Sequence, residues 1–133
     1  MSQHKLITSL HSKVKRVLAE TEMGRCVICR KPASDAAHIF VRNKLATAFD
    51  TEEDGNVHLL CRSCHGDDHA GSGVYRDWYR RVHGEQAFEA LERRSNKMLV
   101  NVKAFLKEKE DELDEELECL SAERGSGGSG WRD

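Results

Sequence analysis

Apolar residues repeat at three- and four-residue spacing through the first part of the chain. Over residues 2–23, Leu6, Ile7, Leu10, Val14, Val17 and Leu18 fall on one face, which predicts an amphipathic helix. Ser2 suits its N-cap and Gly24 its end. The opposite face carries His4, Lys5, His11, Lys13, Lys15 and Arg16. A solvated face and a phosphate-contacting face fit this equally. The pattern then shortens. Residues 36–41 and 57–60 are apolar runs too short for helices and suit the strands of a small hairpin, with residues 50–55 as a polar loop. Beyond Gly73 the helical period returns. Val74, Tyr75, Trp78, Tyr79 and Val82 predict a helix up to Gly84, and Phe88 and Leu91 a second over 85–94. Residues 96–123 read as one long helix, with Met98, Leu99, Val102, Phe105, Leu106, Leu113, Leu117 and Leu120. Leu99, Leu106, Leu113 and Leu120 recur every seven residues, as in a coiled coil, although Lys109 and Glu116 spoil the second seam position. A homodimer through this helix and packing of its first half on the body both remain open. Residues 125–130, GSGGSG, have the composition of a flexible linker. The pattern is α+β and mostly helical.

Composition adds a constraint. The 133 residues are 38% hydrophobic and only 6% aromatic. So lean a chain is marginal on core burial alone, and a metal or an oligomer often makes up the difference. No apolar run approaches the ~20 residues of a membrane span. Residues 1–20 contain no apolar block of the kind a signal peptide needs. A cytoplasmic protein without a membrane partner is therefore expected. The net charge of −2 hides a split: residues 1–106 sum to +4 and residues 107–133 to −6. A basic body with an acidic tail is compatible with a nucleic-acid partner, where a uniformly neutral chain would argue against one.

The five cysteines stand at 26, 29, 61, 64 and 119. Cys26-Val-Ile-Cys29 and Cys61-Arg-Ser-Cys64 have the spacing at which one tight turn aims two thiolates at a single tetrahedral ion. Two such pairs make a closed site, structural because no coordination position stays open. A structural Zn2+ held by Cys26, Cys29, Cys61 and Cys64 is expected, in preference to disulfides. Such a staple suits a poor core. Cys119 lies far off on the acidic helix.

Around these knuckles sit His38, Asn56, His65 and His69. His65 and His69 are four residues apart, so on a helix both imidazoles share a face as a ready metal chelate. His4, His11 and His83 read as surface residues. The segments CVIC, AAHIF, NVHLLCRSCH and the trailing DDH, from Cys26 to about His69, resemble the HNH, or ββα-metal, nuclease family. The resemblance implies a hairpin followed by a helix around one catalytic divalent ion, Mg2+ or Mn2+, beside the structural zinc. It implies that His38 is the general base, that Asn56 orients the loop or the base, and that His65 binds the ion with His69 as a second ligand. Many family members carry a metal ligand directly before the base; here that position is Ala37. Asp35 could compensate, but three residues along a strand places it on the opposite face. Asp67 and Asp68 are further candidates. On this reading the chain divides into an N-terminal helix (1–23), a nuclease core (24–95), an acidic C-terminal helix (96–124) and a flexible tail (125–133).

The segments DAAH (35–38), NVH (56–58) and VYRDWYRRVHG (74–84) are also similar to phage Rap/NinG recombination nucleases, which implies DNA processing in a bacterial or phage-infected cell. Phosphodiester hydrolysis needs an activated water, an in-line geometry and charge stabilisation on the phosphate. One histidine base and one ion are the smallest kit that supplies these. DNA contacts are then expected from Arg42, Lys44, Arg62, Arg76, Arg80 and Arg81, through backbone or shape rather than base readout. RNA is a possible substrate on the same chemistry. The alternative is a non-catalytic zinc module that binds nucleic acid or protein, and Ala37 is the best argument for it.

Overall fold

A computed structural model describes the backbone of residues 2–131 and the side chains of residues 2–123. Helix α1 (Gln3–Thr21) begins where the Ser2 hydroxyl accepts the Lys5 amide at 3.2 Å. It ends in a left-handed turn at Met23 and Gly24, with φ of 56° and 64°. Strand β1 (Asp35–His38) pairs antiparallel with β2 (Val57–Leu60), Asp35 opposite Leu60 and His38 opposite Val57. Four helices follow: α2 (Arg62–His69), α3 (Val74–His83), α4 (Glu85–Ser95) and α5 (Val102–Trp131). The architecture is α+β and mostly helical, with a single two-stranded sheet among the described residues. Of the flexible tail expected over 125–133, the side chains and residues 132–133 lie outside the described residues. No described helix is long and apolar enough to cross a membrane.

The hairpin is buried on both faces. All four residues of β2 are buried, so that strand reads as a continuous apolar run rather than as an alternation. The two-residue period still sorts its side chains. Val57 and Leu59 join Leu10, Val14, Val17 and Leu18 of α1 and Leu106 and Leu113 of α5 in one core. Leu60 turns the other way, towards Cys26, Tyr75, Tyr79, Phe88 and Leu91. His58, on that same side, meets the rings of Tyr75, Trp78 and Tyr79 edge-on. A chain with few aromatics thus builds two thin cores that share one sheet.

Two boundaries differ from the pattern. β1 stops at His38 instead of running to residue 41. Asn56 takes over from the ladder there, accepting the Phe40 amide at 2.8 Å and donating to the Phe40 carbonyl at 2.9 Å. α5 starts at Val102, where the Asn101 side chain accepts the Ala104 amide at 3.0 Å. The residues before it are not helical, and Met98 (87% exposed) and Val100 point into solvent. The leucines of α5 face α1. Lys13 of α1 fastens the pair, 2.7 Å from Asp114 and 3.8 Å from Glu110. Intramolecular packing therefore occupies the face that a coiled-coil seam would use.

Candidate metal centres and the histidine pocket

The four thiol sulfurs of Cys26, Cys29, Cys61 and Cys64 lie within 4.8 Å of one another, close enough for one ion to take all four. Two tight pieces of backbone produce this. In the first, the Arg30 amide donates to the Cys26 carbonyl at 2.9 Å and Arg30 adopts φ +67° to close the turn. The Val27 amide ties this knuckle to the Leu59 carbonyl of β2 at 3.1 Å. In the second, Cys61 is the N-cap of α2, its sulfur accepting the Cys64 amide at 3.4 Å. That amide, with the neighbouring thiols, lowers the Cys61 thiol to about 7, while burial raises Cys64. The cluster is arranged to hold a metal ion, consistent with a structural zinc. Cys119 is exposed and apart from it.

α2 carries its next two functional candidates away from the sulfurs. The Nε2 atoms of His65 and His69 are 3.1 Å apart. That separation suits two donors each about 2.0–2.1 Å from a shared ion. Asp35 completes the arrangement on the other side of His65, its carboxylate accepting from Nδ1 at 3.3 Å. A carboxylate can only accept, so the His65 proton sits on Nδ1 and the lone pair on Nε2 faces His69. Asp35 was expected on the face opposite the base. It instead lines the same cavity as His38, because it opens β1 at the edge where α2 crosses and is not held by the full strand alternation. It orients His65 rather than adding a third donor. Among the described residues, only the four cysteines bring three or more such donors together.

His38 closes β1 and is half-buried. Its Nε2 lies 3.0 Å from the Ala48 carbonyl, an acceptor, so Nε2 carries the proton and Nδ1 holds the lone pair. Burial is the main reason its pKa falls below the ordinary imidazole value; the Ala48 carbonyl opposes this, and Arg42 and His65 add to it. Asn56 is fully buried and makes no approach to the cavity; its amide grips the backbone of Phe40, two residues beyond His38. Ala37 faces the aromatic core, and its carbonyl accepts from the Tyr75 hydroxyl at 3.0 Å. A larger ligand at that position would point into the core.

Asp35, His38, Arg42, Arg62, His65 and His69 line one cavity of about 750 Å³. The remaining candidates lie elsewhere. Lys44 donates to Asn96 at 2.6 Å. Arg76 and Arg80 stack on aromatic rings, Arg76 4.9 Å from the centre of Phe40 and Arg80 4.0 Å from Phe88, and Arg80 pairs with Glu85 at 2.9 Å. Arg81 is exposed on the same helix, and Asp67 and Asp68 do not line the cavity. The opposite wall is α1, which contributes His11, Ser12 and Lys15. Sequence reasoning set His11 aside as a surface residue; the four-residue step from His11 to Lys15 was the available signal. Sequence reasoning also missed Glu22, whose carboxylate accepts the Leu59 amide at 2.6 Å just past the end of α1. Burial raises it to about 7.

No protein-family model matches the chain, and neither the curated proteins nor the solved structures contain a significant match to it.

Proposed function

We propose that this chain is a metal-dependent endonuclease of the HNH class that hydrolyses phosphodiester bonds in DNA. One observation carries the reading: His38, with its lone pair on Nδ1, shares a cavity with a histidine pair 3.1 Å apart, Asp35 behind that pair and Arg42 and Arg62 at its edge. His65 and His69 would hold the catalytic ion. A divalent ion there supplies Lewis acidity towards the phosphate and the leaving 3′ oxygen. Two imidazoles suit Mn2+ or a later transition metal better than Mg2+, which prefers oxygen donors.

The residues divide the remaining work. His38 is neutral near pH 7 because burial disfavours its charged form, so Nδ1 can take a proton from an attacking water. The Ala48 carbonyl then stabilises the imidazolium, since it already accepts from Nε2. Asn56 holds the backbone after His38 and so fixes where the ring stands. Arg42 and Arg62 offer positive charge to the phosphate chain. By resemblance to the family, the products carry 5′-phosphate and 3′-hydroxyl ends.

A second reading has its own observation. Among the described residues only two donors face one another in the cavity, and Ala37 adds none. A zinc module that binds nucleic acid or protein without cutting would be built in the same way. Incubating the zinc-loaded protein with plasmid and branched DNA, with Mn2+, Mg2+ or chelator, separates the two. The nuclease reading expects nicking with Mn2+ that chelator stops. It also expects His38→Ala to lose about 100-fold or more in rate while still binding DNA. A folded, zinc-loaded chain that binds DNA and nicks nothing with any ion supports the module instead.

A further inference from the structure

We infer that α1 forms the second wall of the substrate cleft and that His11 donates its ring N–H to a non-bridging oxygen of the phosphodiester held beside His38. The inference rests on the phosphodiester reading and adds to it a substrate contact from outside the hairpin and α2.

His11 lies midway along the polar side of α1 and is half-buried. Two aromatic neighbours hold its ring in place. It meets His38 edge-on, with centroids 5.5 Å apart and planes at 84°, and leans on Phe49 at 5.0 Å. The ring faces the cavity that also holds His65 and His69. Among the described residues, no protein group hydrogen-bonds its nitrogens, and neither nitrogen is sealed from solvent. A histidine packed for structure alone normally finds a partner for its N–H. Here the ring is fixed and its polar atoms are left to the cleft.

The charge state fits the task. Burial, with His38 and Arg42 adding to it, lowers His11 to about 4, so it enters neutral, with one donor and one acceptor. A neutral donor does not repel a charged His38 as a lysine would. Lys15, one turn on, lines the same cavity and supplies the net positive charge. The cleft then runs between α1, with His11 and Lys15, and α2, with His65 and His69. His38 stands at its floor on β1.

The test separates ring packing from hydrogen bonding. His11→Phe keeps the contacts to His38 and Phe49 and removes the donor; His11→Gln keeps a donor and loses the ring. With Mn2+ and plasmid DNA, His11→Phe is expected to lose about ten- to a hundred-fold in kcat/KM at unchanged thermal stability. His11→Gln is expected to recover most of that loss. Histidine ring signals in the zinc-loaded full chain, followed by NMR during titration with dimethyl phosphate, provide an arm that needs no cleavage. His11 signals are expected to move. Cleavage by His11→Phe at the wild-type rate, or His11 signals that stay in place, overturns the inference. A wild-type chain that cleaves nothing, yet whose His11 signals move, overturns the nuclease reading and leaves the phosphodiester contact standing.

Discussion

Asp35 bonds one nitrogen of His65 and leaves the other to His69. This division makes the carboxylate a tuning group, and its loss is expected to weaken the pair without touching the cysteines. Asp35→Asn should lower Ni2+ or Mn2+ affinity at the pair about 10- to 100-fold, read by titration calorimetry on zinc-loaded protein. The clustering of the four cysteines and the shared helix face of His65 and His69 were legible in the sequence, because short, fixed spacings dictate which side chains meet. The role of Asp35 was not. Strand alternation predicts direction only inside a ladder, and Asp35 stands at its end. His11 was hidden for another reason: polar residues on a helix look alike until a neighbour defines which of them face a cleft. Glu22 is a half-buried carboxyl with the opposite sign of consequence. Its pKa is about 7 in the fold and near 4.5 when unfolded, so the folded state holds a proton that the unfolded state has released. Its contribution is therefore lost as pH rises from about 4.5 to about 7. Glu22→Gln can still accept the Leu59 amide. It should raise stability at pH 8 by about 1–2 kcal/mol and flatten the pH dependence of urea midpoints between pH 5.5 and 8.

At the scale of elements, α1 has two duties on two faces. Leu10, Val14, Val17 and Leu18 pack on β2 and α5, while His11 and Lys15 face the cleft. The helix and its apolar stripe were plain in the periodicity; its neighbours were not. The seven-residue leucine repeat of α5 fits a partner helix from another chain and α1 of the same chain equally well. In the fold Leu106 is fully buried beside α1. Leu106→Ala is expected to cost about 2–5 kcal/mol, measured by denaturant unfolding. A change below 1 kcal/mol would mean that the two helices do not depend on each other. The first knuckle makes a smaller prediction. Arg30 holds φ +67°, a region that costs a side-chain-bearing residue about 1–2 kcal/mol. Arg30→Gly should leave zinc affinity unchanged or improved, as judged by competition with a chelator.

For the whole molecule, the charge split has a spatial meaning. Lys13 is spent on Asp114 and Glu110 of the acidic helix, whereas Lys15, two residues later, is free to face the cleft. One basic helix thus keeps the acidic segment fastened on one side and presents charge on another. The two thin cores share the hairpin, and the four-cysteine cluster joins the segment after α1 to the start of α2, with Cys26 and Cys61 packed in the core on the Tyr75 side. Removing its metal with a strong chelator is expected to lower the melting temperature sharply and to broaden the transition, followed by circular dichroism. An unchanged melting curve would show that the cores suffice alone. The same cluster bears on the orientation of α2. Cys64 and His65 are consecutive on α2, so the thiolates set the rotational phase of the helix that turns His65 and His69 towards Asp35. A helix rotated by one residue would carry both imidazoles away from that carboxylate. A chain that lacks the ion of the four-cysteine cluster is therefore expected to lose the contact of His65 with Asp35, although the four-residue step still keeps both imidazoles on one face of α2. Scarcity of that first metal is then expected to weaken the proposed second site even where its own ion is abundant.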